Sequence, residues 1–98
     1  MKLLLENWRG YLNEGAIVAT DLIGALNAIN TDDERVQNWR GNFVTMLKVY
    51  RKLARKNSEE ANKYLELVNE QTWDNKSHHQ WLQEYAPELV EAYEGLGT

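Results

Sequence analysis

Apolar residues recur with a helical period along almost the whole chain, and the longest unbroken run lies between Thr31 and Asn57. There Val36, Trp39, Phe43, Met46, Tyr50 and Leu53 alternate at steps of three and four, with Leu47 and Ala54 widening the seam. The pattern predicts one long amphipathic helix over residues 31–57, whose broad face needs partners. Upstream, Lys2 to Glu14 places Leu4, Leu5, Trp8, Tyr11 and Leu12 on one face. Gly15 then punctuates the pattern. Ala16 to Ile29 follows, with Val18, Leu22, Ala25, Leu26 and Ile29 on a stripe flanked by Ile17 and Ile23. This second segment is apolar nearly all round, as expected of a central helix or one at a subunit interface, and its alanines and Gly24 permit close helix approach.

Capping signals divide the rest. Thr31 and Glu34 have capping-box spacing at the start of the long helix, and Ser58 is placed to cap a fourth helix that opens with Glu59 and Glu60. Ala61, Tyr64, Leu65, Val68 and Thr72 form that helix's expected buried stripe, with Leu67 and Trp73 beside it, and it is expected to pack antiparallel on the long one. Asp74, Asn75 and Lys76 read as a turn. Ser77 and Gln80 form another capping box before a short helix with Trp81, Leu82 and Tyr85. Pro87 suits the first turn of a last helix that Gly95 stops. No strand period is visible. The expected fold is therefore all-α: one domain spanning 1–98, a small bundle of about five helices around helix 31–57.

Composition narrows the functional classes. The chain has 98 residues, 43% of them hydrophobic, so one modest core is the limit. It contains no cysteine, which excludes disulfides, thiolate metal sites and cysteine nucleophiles and fits a cytoplasmic setting. The apolar run Leu3 to Leu5 is too short for a signal-peptide core, and no membrane association is expected. The net charge of -4 is unevenly spread: residues 1–30 carry -1, 31–56 carry +4 and 57–98 carry -7. Internal pairing of the basic helix with the acidic third is the plainer expectation. The alternative is two surfaces of opposite sign that meet between copies.

One tetrapeptide occurs twice, as Asn7-Trp8-Arg9-Gly10 and Asn38-Trp39-Arg40-Gly41. Each Trp falls on the apolar face and each Gly roughly opposite, where a mid-helix glycine costs about 1 kcal/mol relative to alanine. Close approach of another backbone over Gly41, Val44, Thr45 and Lys48 would explain that cost, as would an unselected exposed site. The opening from Met1 to Glu14 resembles the N-terminal stretch of small and structural proteins of large tailed bacteriophages from marine hosts. The resemblance implies a viral or environmental origin and transfers no activity.

Three constellations could carry chemistry. Lys48, Arg51, Lys52, Arg55 and Lys56 form a basic strip whose cations could follow a nucleic-acid backbone, or simply complement the helix dipole. Glu70, Asp74 and His78, spaced by four with His79 adjacent, could ligate a divalent metal if one helix ran through them. Glu84, Glu88, Glu91 and Glu94 form a carboxylate ladder, but an exposed ladder lacks the apolar surroundings that separate an acid from a base. No enzyme activity, cofactor or metal is therefore expected. The sequence points to a protein-interaction or assembly module, a homodimer contacting through Val18, Leu22, Ile23, Gly41 and Val44. A nucleic-acid-associated regulator acting through the basic strip is the rival expectation.

Overall fold

The computed structural model describes the backbone of residues 2–96 and the side chains of residues 15–96. Within them the chain forms an all-α fold with one small β-hairpin. The order is α1 (Lys2–Asn27), α2 (Glu34–Lys56), α3 (Ser58–Glu70), β1 (Thr72–Trp73), β2 (Lys76–Ser77), α4 (His78–Tyr85), a 3₁₀ turn (Pro87–Leu89) and α5 (Val90–Glu94). The side chains of the first copy of the repeated tetrapeptide and of the opening from Met1 to Glu14 lie outside the described residues.

Gly15 does not end a helix. The two segments expected on either side of it are one helix, α1. The glycine serves a close contact: a Cβ at Gly15 would lie 2.6 Å from the hydroxyl oxygen of Tyr50, whose side chain is buried on α2. Gly24 and Gly41 have open space where a Cβ would stand, so neither serves a close approach among the described residues. α1 and α2 run antiparallel, since the Arg40 guanidinium donates to the Ile29 carbonyl and Arg51 donates to the Thr20 hydroxyl at 3.4 Å.

Two expected caps shift by a residue or two. Asp33, not Thr31, caps α2, its carboxylate accepting from the Arg35 amide at 2.9 Å. Thr31 instead accepts from the Asp33 amide, fixing the chain's approach. Asn57 alone separates α2 from α3 and serves both. Its amide donates to the Leu53 carbonyl, while its side chain accepts from the amides of Glu59 and Glu60 at 3.0 and 3.3 Å. With Asn57 extended and capping, Ser58 is already the first residue of α3. The Ser77–Gln80 capping box forms as expected, both reciprocal bonds being present.

The turn at Asp74 and Asn75 closes a hairpin that the hydrophobic pattern does not announce. Both residues have positive φ, 54° and 67°, the left-handed pair that joins twisted strands in a two-residue loop. Thr72 and Trp73, expected on the fourth helix, lie beyond its end at Glu70 and form β1 instead, Thr72 pairing with Ser77 and Trp73 with Lys76. Strands this short have no alternation to read.

One core cluster draws residues from all five helices. Its centre is aromatic. Trp39 stacks on Phe43 and on Trp81, each with ring centroids 5.5 Å apart, and Phe43 meets the edge of Tyr93 at 5.3 Å. The Trp81 indole donates to the Trp73 carbonyl at 2.7 Å, which ties α4 to the hairpin. α3 returns along α2 toward this centre, because the Tyr93 hydroxyl donates to Asn69 near the end of α3. α4 and α5 pack on the core stripes of α2 and α3, whereas Val49 of α2 and Leu67 of α3 stay exposed.

Candidate interaction surfaces

The residues expected at a dimer contact divide sharply. Leu22, Ile23 and Val44 are buried in the chain's own core and Val18 is half-buried against it, so these side chains are committed to intrachain packing. Most of the apolar surface of residues 16–29 is absorbed where α1 packs on α2, with Ala16, Ala19, Leu22, Ile23 and Leu26 buried and Ile17 left exposed. Gly41 is exposed and open.

The basic strip survives as a surface. Lys48, Lys52, Arg55 and Lys56 are exposed, and Arg51 is half-buried against Thr20. Among the described residues none of the five has an acidic partner, and neither do Glu60, Glu66 or Glu70 of α3. The expected internal pairing of basic helix with acidic third is therefore limited to the far end of α2, where Arg35 pairs with Asp74. The reason is geometric. The cations lie on the outward arc of α2, whereas α3 presents its inward stripe of Ala61, Leu65 and Val68.

The four-spaced trio of Glu70, Asp74 and His78 is dispersed by the hairpin. Asp74 is held by Arg35, His78 turns inward, and among the described residues no group of side chains could hold a metal ion. His78 is 1% exposed. Its Nδ1 accepts from the Trp39 indole at 3.0 Å and its ring stacks on Phe43 at 4.6 Å. Accepting at Nδ1 requires the tautomer with the proton on Nε2, and that nitrogen has no partner among the described residues. Burial pulls the His78 pKa down to about 4, so the ring is neutral. Nothing in the sequence distinguished His78 from His79 beyond its phase with Trp81 and Leu82, three and four residues on.

The carboxylate ladder also separates. The Lys76 ammonium, 2.6 Å from Glu84, holds that carboxyl below its ordinary range, and Glu94 lies 2.6 Å from His79 Nε2. A cleft of about 380 Å³ opens between α3, α4 and α5 beside Asn69, Ser77, His79, Tyr93 and Glu94. Its polar groups already satisfy one another: Tyr93 with Asn69, His79 with Glu94, and Ser77 with the Gln80 amide. The cleft thus offers a ligand little that is not already bonded.

Apolar side chains do reach the surface. Ile17 is 59% exposed, Leu67 57% and Val49 40%. Among the described residues no helix is long and apolar enough to cross a membrane. Comparison with protein families, with curated proteins and with solved structures finds no match for this chain.

Proposed function

We propose that this protein is a small helical interaction module that self-associates. The observation that carries the reading is charge that, Glu59 and Lys63 apart, has no partner among the described residues: a basic outer arc on α2 and a mainly acidic one on α3, with exposed apolar side chains on both. Opposite arcs within one chain are self-complementary between two copies, which is what a closed symmetric dimer requires. The phage-like opening would suit an accessory role in virus assembly. Sedimentation equilibrium at micromolar concentration tests the reading, with about twice the chain mass expected and a clean monomer counting against it.

The same unpaired cations favour a second reading, nucleic-acid binding along α2. Fluorescence anisotropy with a labelled duplex separates the two. Binding through five phosphates should weaken steeply as salt rises, with a log–log slope of roughly -4 to -5, whereas a dimer with an apolar centre should respond far less.

A further inference from the structure

The geometry points to one surface for self-association, the outer seam between α2 and α3, occupied by a second copy of this chain with its α2 lying over α3 of the first. This inference rests on the self-association proposed above and specifies its surface and symmetry.

The seam is located by two flanks. On α2 the buried stripe runs through Val36, Trp39, Phe43, Leu47, Tyr50 and Ala54. Arg40 and Arg51 leave one side of that stripe to bond α1, so the other side, bearing Met46, Val49 and Leu53 three and four residues apart, is the side next to α3. On α3 the stripe is Ala61, Leu65 and Val68. Asn69 leaves one side of it to meet Tyr93 of α5, so Tyr64 and Leu67, one turn apart, flank the side away from α5. The two outer flanks therefore adjoin. They form an apolar strip in which Val49 and Leu67 are exposed and Met46, Leu53 and Tyr64 are half-buried against the core.

Charge then selects the occupant. The α2 edge of the strip is rimmed by Lys52 and Lys56 and the α3 edge by Glu60, all exposed and without ion-pair partners among the described residues. A two-fold axis lying along the seam turns α2 of one copy onto α3 of the other and brings Lys56 toward Glu60 of the partner copy on both edges of the contact, at the end where α2 turns into α3. An axis across the seam would set α2 on α2 and oppose like charges. The apolar strip supplies the dry centre and the charges supply the register.

Sedimentation velocity over a concentration series tests this. Wild type should show a monomer–dimer equilibrium. Leu67→Glu, at a site already 57% exposed, should raise the dissociation constant by roughly tenfold or more while leaving the thermal melt of the dilute protein unchanged. Lys56→Glu and Glu60→Lys should each weaken the dimer, and the double variant should recover much of the loss. A wild type that stays monomeric at every concentration overturns both self-association and this surface. A dimer indifferent to Leu67→Glu overturns the surface alone and leaves self-association standing. Losses that add in the double variant overturn the placement of α2 on the partner's α3.

Discussion

His78 shows how a single buried ring links pH to stability. Its folded pKa of about 4 lies below the ordinary value of 6.5, so between those values the unfolded chain binds the proton and the folded chain does not. The stabilisation is full above about pH 6.5 and is lost as pH falls toward 4, a loss on the order of 3 kcal/mol over the window. Protonation at Nδ1 would also remove the acceptor of the Trp39 indole. Urea unfolding at pH 7 and pH 5 should show wild type weakening more than His78→Gln, which has nothing to titrate there. Parallel slopes would show that the ring is not held neutral. Gly15 offers a second residue-scale test. Alanine should gain up to about 1 kcal/mol in helix propensity, yet its methyl would collide with the Tyr50 hydroxyl in a buried site, so Gly15→Ala should lower the melting temperature. Removing the obstructing oxygen with Tyr50→Phe should make the same substitution less costly. Gly41→Ala meets open space and should raise the melting temperature in the monomer.

Among the elements, the hairpin is the one decided by backbone conformation more than by burial. Asn75 at φ 67° occupies a region that glycine adopts freely, and Asp74 before it is retained by Arg35. Asn75→Gly should therefore stabilise the protein slightly, by a few tenths of a kcal/mol to about 1 kcal/mol, as seen in a thermal melt. A marked loss would show that the Asn75 side chain has a role beyond the turn. The helices were legible because each has a stripe, and the Ser77–Gln80 box was legible because its partners are three residues apart. Gly15 was misread because a glycine is ambiguous in sequence and a neighbour distant in the chain, Tyr50, resolves it. Asn57 was misread within its own neighbourhood: Asn57 and Ser58 both suit an N-cap, and it is the Asn57 side chain that takes the amides of Glu59 and Glu60.

For the whole molecule, the contacts that unite the layers converge on Trp39. It is fully buried, stacks on Phe43 and Trp81, and bonds His78, so it joins α2 to α4. Trp39→Ala should cost about 3 to 5 kcal/mol, a large share of the stability of a domain this size. Far- and near-ultraviolet circular dichroism should both show its loss, and a native near-ultraviolet spectrum would mean that the aromatic centre tolerates the cavity. By itself the sequence determined the all-α class, the long helix, most element boundaries to within a few residues and the segregation of charge, because helical period and capping are local and repeat within a few residues. Which faces were spent inside the chain was decided only by tertiary structure. In the sequence Leu22, Ile23 and Val44 were as available for a partner as Val49 and Leu67, until the packing of α1 on α2 buried the first three and left the other two exposed. Burial depends on what lies opposite a stripe, and no local pattern carries that information.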